Sequence, residues 1–334
     1  ALTSAEAVQD PLAALAFLCP EETSLVEVTT DLTEELAPMG YADLGIPSPR
    51  VELLPFKGPK DTSVLNHRRF CNWTDRSPEE LSQELVRDVY RACVAVEKGS
   101  SKSYKLLERL SEPLAELQCC SLQGKSHEVR LSFWLNCLNA STLLAALAPG
   151  RIGFHERPHD VTTWAKLLHT AQLEVQGELL SLTEMEQVIR SQNESSNDPL
   201  LTTDTTNTTL QLKRAVPLAS CAVHRPTRSG FPPLRIFQAK HLQAQLELNA
   251  VHWLCREMHL DSWRKKVILP EALRWHLADV GGETRMLETF SEIFKRVPEQ
   301  VELIGGTLPA NWKDLILERP EKLRVEYQEV TWQF

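Results

Sequence analysis

Residues 129–147 read VRLSFWLNCLNASTLLAAL, and this stretch decides the fold because it is apolar nearly all round. A helix with no polar face must be buried on every side, so the stretch predicts a central helix around which the rest of the chain packs. Asn136 and Asn139 lie within it, and a buried amide costs free energy unless it finds hydrogen-bond partners. Each amide is therefore predicted to hold a loop or to line a site. A hydrogen-bonded core Asn that fixes the adjoining backbone is the favoured interpretation.

Helical signals surround this central stretch. Ser77-Pro78-Glu79-Glu80 combines a capping box with Pro at the first helical position, which predicts a long helix that ends at Gly99. Ser181-Leu182-Thr183-Glu184 is a second capping box and predicts a short helix to about Arg190. Apolar residues at helical spacing predict further helices in four segments, which are 107–117 with an interruption at Pro113, 242–257, 270–282 and 283–296.

Strand signals are fewer. Leu234 to Phe237 is predicted to be a strand, and residues 323–334 alternate as a strand does. The alternation slips near Gln328, which indicates a bulge. The predicted fold class is therefore α+β, with one large helix-rich domain and a small sheet.

The chain divides into two parts by composition. Residues 1–76 are irregular, with several Pro residues, and are predicted to form an N-terminal arm or small subdomain. Residues 77–334 carry the helical signals and are predicted to form the main domain. Within it, residues 191–210 are rich in Ser, Thr, Asn and Asp, bury little, and are predicted to be a mobile insertion.

Charge and cysteine content exclude several classes of protein. With 45 acidic and 36 basic residues the chain has a net charge of −9, which opposes a general nucleic-acid-binding role. No run approaches 18 apolar residues and the start resembles no signal peptide, so we expect neither membrane insertion nor secretion. The eight cysteines are irregularly spaced, as in a reducing compartment, so we expect free thiols and a cytoplasmic location. The first residue is not Met, which suggests a piece of a longer protein.

Two groups of residues resemble metal sites. His155-Glu156-Arg157-Pro158-His159 fits a zinc-protease pattern, but Pro158 disrupts the helix that the pattern needs and is predicted instead to start a helix that runs to His169. His252, Cys255 and His259 are three and four residues apart and are predicted to share one helix face. Neither group has an obvious complete ligand set, so we expect no bound zinc and no other cofactor.

Cys221 and His224 form a third candidate, a thiol with a base nearby, as nucleophilic catalysis requires. Two residues at this spacing are a weak signal without a third group that orients the base. A structural Cys beside a loop His is therefore the favoured interpretation.

The central helix also carries a family resemblance. RLSFWLNCLNA at residues 130–140 resembles the RLAFWINxYNA signature of the domain of unknown function 547 family. Further blocks resemble that family in the same order, and they are LTEMEQVI at 182–189, Cys221, FPPLR at 231–235, LPEALRW at 269–275 and VEYQEVTW at 325–332. Together the blocks span about residues 80–334. The resemblance also implies a distant papain-like architecture.

The departures from the family pattern affect its reactive residues. Gln187 stands where the family has His, Phe231 where it has Cys, and Val216 where it has a second His. The family residues that this chain retains include three that we expect to line the site, namely Asn136, Asn139 and Arg235, and two with reactive side chains, Glu186 and Cys221.

Two functions follow from this comparison. The leading hypothesis is a non-catalytic binding or scaffolding module on a degenerate enzyme-like fold, with a protein partner. The alternative is a thiol-dependent hydrolase or transferase that uses Cys221 with His224 and Glu186.

Overall fold

The computed structural model describes residues 50–52, 63–66, 70–72, 76–100, 103–147, 158–190, 212, 216–227, 230–261, 263–296 and 323–331. The predicted insertion at 191–210 and most of the predicted arm at 1–76 lie outside these residues.

Helices make up most of the described chain. In chain order they are α1 Pro78–Glu97, α2 Ser103–Arg109, α3 Ser111–Glu116, α4 His127–Leu147, α5 Val161–Thr170, α6 Leu182–Arg190, α7 Leu242–Glu257, α8 Glu271–Trp275, α9 Leu277–Val280 and α10 Glu283–Arg296. Three 3₁₀-helices at Leu117–Cys119, Pro217–Ala222 and Ala239–His241 join them.

The strands are short and form three small sheets. They are β1 Arg50–Glu52, β2 Ser63–Val64, β3 Phe70–Asn72, β4 Ala171–Val175, β5 Glu178–Ser181, β6 His259–Asp261, β7 Lys266–Pro270 and β8 Arg324–Gln328. The sheet orders are β1-β3, β2-β4-β5 and β6-β7-β8, in which β2 pairs parallel with β4, and β8 pairs parallel with β7. The helix-rich α+β class predicted from the sequence is confirmed.

Helix α4 is the centre of the molecule. Every residue from Leu131 to Leu147 is buried, and α4 packs chiefly against α1 and α6. Its apolar surface on all sides leaves no face for solvent, which is why the helix lies inside. Among the helices that the structure describes, none has both the length and the apolarity needed to cross a bilayer.

Local capping sets where the helices begin. Ser77 and Glu80 exchange the two hydrogen bonds of a capping box before α1, and Ser181 and Glu184 do the same before α6. Helix α5 differs from its prediction, because it begins at Val161 rather than at Pro158. Asp160 caps it by accepting the backbone N–H of Thr163 at 2.7 Å, so the start follows the cap and not the Pro.

The predicted strand at 234–237 is wrong. This segment pairs with no strand of the described chain, because side chains form hydrogen bonds with its backbone groups. The amide of Asn136 bonds both the N–H and the C=O of Phe237, and Gln245 donates to the C=O of Ile236. These bonds satisfy the polar backbone groups that a neighbouring strand would otherwise satisfy.

Sequence analysis did not identify the hairpin of β4 and β5. Gln176 and Gly177 form its turn with φ of 56° and 76°, the left-handed conformations of a two-residue hairpin. Residues 63–66 of the predicted arm extend this hairpin through β2, and the Asn66 side chain bonds the backbone of Glu174 at 2.7 and 2.9 Å.

Candidate functional site

Two asparagines of α4 hold two separate loops. The Asn136 Nδ2 donates to the C=O of Phe237 and its Oδ1 accepts the N–H of Phe237, both at 2.9 Å. One turn later, Asn139 donates to the C=O of Ala222 and accepts the N–H of His224, again at 2.9 Å. Both side chains are fully buried. The central helix therefore fixes the 217–225 and 231–238 segments side by side through two amides.

A third buried amide, Asn249 of α7, ties the same segments from the other side. Its Nδ2 donates to the C=O of Cys221 at 2.8 Å, and its Oδ1 accepts from Nε of Arg235 at 3.1 Å. Sequence analysis missed Asn249, although it lies in the stripe of buried residues with Leu246 and Trp253. A polar residue in an apolar helical stripe is the signal that could have found it.

Cys221 lies in the 3₁₀-helix Pro217–Ala222 and is 2% exposed. Burial, with a smaller effect of the Asp279 carboxylate, raises the pKa of its thiol to about 12. At neutral pH the group is therefore a thiol, whereas nucleophilic attack requires the thiolate.

The His224 ring is anchored through its Nδ1 atom. Its Nδ1 lies 2.8 Å from the carbonyl oxygen of Pro232, which accepts the Nδ1 proton. Burial lowers the pKa of the imidazole to about 4, against the hydrogen bond to Pro232, and the charges of Arg256 and Arg225 lower it further. Within the described residues no hydrogen bond joins Cys221 to His224.

Glu186, the third residue of the enzyme hypothesis, pairs with Arg225. The Arg225 Nη2 donates to Glu186 Oε2 at 2.8 Å, and the two side chains are 1% and 2% exposed. The Arg225 guanidinium also lies 5.0 Å from the centre of the Phe231 ring. Sequence analysis missed Arg225, because the HRPTR sequence around it has no pattern that indicates burial.

Phe231 occupies the interior beside this pair. It is 2% exposed, and its ring centre lies 6.0 Å from that of Trp275. Its carbonyl oxygen accepts from Arg256 Nη2 at 2.6 Å, so the backbone is held as well as the ring. The position where the family has a Cys is therefore filled by a packed aromatic side chain.

The two other replaced positions carry no imidazole, and each lies close in sequence to a residue of the site. Gln187 is half-buried on α6, one residue after Glu186. Val216 is half-buried and directly precedes the 3₁₀-helix that carries Cys221. Of the site residues on these segments, the structure brings Arg225 into contact with both Glu186 and Phe231.

Asp279 of α9 forms a second buried polar group that sequence analysis missed. Its Oδ2 accepts from Ser220 Oγ at 2.8 Å and from Arg190 Nε at 2.9 Å, and His276 Nδ1 lies 3.6 Å away. The carboxylate therefore joins α6, the 3₁₀-helix that carries Cys221, and α9.

The metal candidate on α7 does not form a common face. The helix ends at Glu257, so His259 lies in β6 and is exposed, which corrects the prediction of one helix face. Burial raises the pKa of Cys255 to about 11, and burial with the charges of Arg256 and Arg235 lowers that of His252 to about 3. In the other candidate, His155 lies outside the described residues. Within the described residues, no group of three or more His, Cys, Asp or Glu is arranged to hold a metal ion. The structure shows free thiols at Cys93, Cys119, Cys120, Cys137, Cys221 and Cys255.

Comparison with known proteins supports the family resemblance. Residues 122–254 match the model of a family described as protein of unknown function, DUF547. The matched segment begins just before α4 and ends within α7, so it contains the asparagines, Glu186, Cys221 and Phe231. No curated protein and no solved structure matches the chain.

Proposed function

We propose that this chain, which belongs to the domain of unknown function 547 family, is a non-catalytic binding or scaffolding module whose enzyme-like site serves packing. The observation that carries the proposal is the state of Cys221, which is buried and has a pKa raised to about 12. A thiol nucleophile needs partial exposure and a lowered pKa.

The groups around Cys221 support the same conclusion. A general base must reach the proton that it removes, but within the described residues His224 makes no hydrogen bond to Cys221, and its pKa is lowered to about 4. Glu186 is paired with Arg225, and the Arg225 guanidinium lies over Phe231. The His224 and Glu186 side chains therefore each have a structural partner.

The experiment is site-resolved alkylation of the full chain by a small electrophile, followed by peptide mass spectrometry at pH 5 to 10. We expect the Cys221 rate to rise with pH throughout this range, with no plateau below pH 9, because the thiolate fraction stays small. Cys255, whose pKa is raised to about 11, should show the same rise of alkylation rate with pH and serves as an internal reference. A Cys221 rate that levels off with an apparent pKa near 6 would contradict the proposal and favour the thiol-dependent hydrolase or transferase.

Variants at the replaced positions extend this test. Phe231→Cys alone should add no thiol of low pKa, because Gln187 and Val216 still supply no imidazole. Only the triple change Phe231→Cys, Gln187→His and Val216→His is expected to give a cysteine that titrates well below about 8.5. A thiol of low pKa in the Phe231→Cys variant would contradict the proposal, because it would show that a group near position 231 still acts as a base.

A further inference from the structure

The turn between β6 and β7 carries an exposed tryptophan. Trp263 is 89% exposed, and it is the only large apolar side chain of the described residues that is exposed. Exposed Trp is uncommon on a surface with no partner, and Trp is enriched at the centres of protein interfaces.

The backbone of this turn is held in place. The N–H of Arg264 donates to Asp261 Oδ1 at 3.1 Å, and the C=O of Lys265 accepts the N–H of Arg324 at 2.9 Å. Lys265 takes the left-handed conformation, with φ of 50°, and this closes the turn. Because the turn is already ordered, a partner that binds Trp263 loses little conformational entropy in ordering it.

Cations follow Trp263 in the turn and begin the adjoining strand β8. Arg264 and Arg324 have side chains 68% and 80% exposed, and Lys265 is also exposed. The nearby carboxylates already have partners, since Asp261 lies 3.7 Å from Arg264, and Glu326 pairs with Lys266 and lies 3.6 Å from Arg324. We call Trp263, Arg264, Lys265 and Arg324 the basic turn. Its excess of cations beside an aromatic ring fits an acidic segment that also contains apolar residues.

The chain itself contains such a segment. Residues 1–49 hold nine of the 45 acidic residues and none of the 36 basic ones, so they account for the whole net charge of −9 and the rest of the chain is neutral. Six of these nine lie in residues 21–36, EETSLVEVTTDLTEEL, where they alternate with Leu and Val. The sequence thus combines negative charge with apolar side chains, as the basic turn requires.

We propose that the basic turn is the docking site of residues 21–36 of the same chain. Only 13 residues separate Leu36 from Arg50, where β1 begins, and they span up to about 45 Å when extended. A domain of roughly 290 residues has a radius of gyration of about 19 Å, so the extended tether is comparable in length with the width of the domain. The tether also gives the segment a high effective concentration, so a weak contact suffices. The proposal is independent of the state of Cys221.

Zero-length carbodiimide coupling of the dilute full chain tests the contact, because the Lys265 amine condenses with a carboxylate only when the two touch. We expect Lys265 to couple within one chain to residues 21–36, and the yield to fall at least fivefold in Trp263→Ser. Lys125, an exposed lysine in another turn, is the matched control and should give at most one fifth of that yield. Coupling of Lys265 only to other carboxylates, or only between two chains, would overturn the proposal.

Quenching of Trp263 by acrylamide gives a second measurement, read as the difference between wild type and Trp263→Phe. Neutralising the six acidic residues of 21–36 (E21Q, E22Q, E27Q, D31N, E34Q and E35Q) should raise the quenching constant at least twofold. Neutralising Glu6, Asp10 and Asp43, the three other acidic residues of 1–49, is the control and should change the quenching constant little. Equal quenching in wild type and the sixfold variant would show that Trp263 is not covered by this segment.

Discussion

At the scale of single residues, buried amides take the place of strand pairing. Asn136, Asn139 and Asn249 each bond a loop backbone at 2.8 to 2.9 Å, and together they hold the segments that carry Cys221 and Phe231. An amide has one acceptor and one donor group in fixed geometry, so it can bond a peptide group as a neighbouring strand does. The cost of burying it is offset only while those bonds persist.

Removing the Asn139 amide should therefore destabilise the protein. Asn139→Ala leaves the N–H of His224 and the C=O of Ala222 without their side-chain partner, and we expect a loss of about 2 to 4 kcal/mol in the free energy of unfolding. Urea denaturation measures it. Ser141→Ala on the same helix is the control, because the buried Ser141 hydroxyl has no hydrogen-bond partner among the described residues. A cost of Asn139→Ala no larger than that of Ser141→Ala would contradict this role.

At the scale of elements, the segment after β8 packs onto the loop that positions Phe231. Gly230 has φ of 93°, and a Cβ at this position would lie 2.9 Å from Cγ2 of Val330. The Gly230 N–H also donates to Glu257 Oε2 at 3.2 Å. Glycine is required here both for the left-handed backbone and for the close approach of Val330.

Two glycine variants separate the cost of the left-handed backbone from the cost of the contact with Val330. Gly124 also has a positive φ, of 73°, but open space around its Cα, so Gly124→Ala should cost about 1 to 2 kcal/mol from the backbone alone. Gly230→Ala should cost about 1 to 3 kcal/mol more because the new methyl group overlaps Val330. Thermal and urea denaturation measure both.

The added cost should shrink when Val330 is shortened. In the Val330→Ala background, the effect of Gly230→Ala is expected to approach that of Gly124→Ala, since the overlapping methyl groups are gone. If Gly230→Ala costs the same in both backgrounds, Val330 does not pack against this loop.

At the scale of the whole molecule, burial keeps several titratable groups neutral. His224 and His252 have pKa values lowered to about 4 and about 3, mainly by burial, whereas imidazoles of the unfolded chain titrate near 6.5. Below pH 6.5 the unfolded state therefore binds more protons than the folded state. Acidification favours unfolding in this window, and the stability present above pH 6.5 is lost as the pH falls towards 4.

The free energy of unfolding should consequently fall between pH 7 and pH 4.5, with His224 contributing up to about 3 kcal/mol. Urea denaturation at several pH values measures the slope. His224→Gln should make the slope shallower, and His159→Gln, a change at an exposed position, should leave it as in wild type. An unchanged slope in His224→Gln would mean that this imidazole is not held neutral by the fold.

Sequence alone determined the helical frame of this protein. The starts of α1 and α6 were predicted from their capping boxes, and the buried α4 from its apolar composition, because these signals act within a few residues of each other. The family resemblance was likewise read from contiguous residues.

Tertiary structure decided the sheets and the state of the site. Strand β8 pairs with β7 more than 50 residues away, and strands of five residues or fewer carry too little pattern to reveal such partners. The burial of Arg225, its pairing with Glu186 and the raised pKa of Cys221 depend on groups from α6, α9 and the loops that meet only in the fold. The residue types determine which reactive groups are present. The low dielectric and the hydrogen bonds of the folded interior determine their pKa values and so which of them can react.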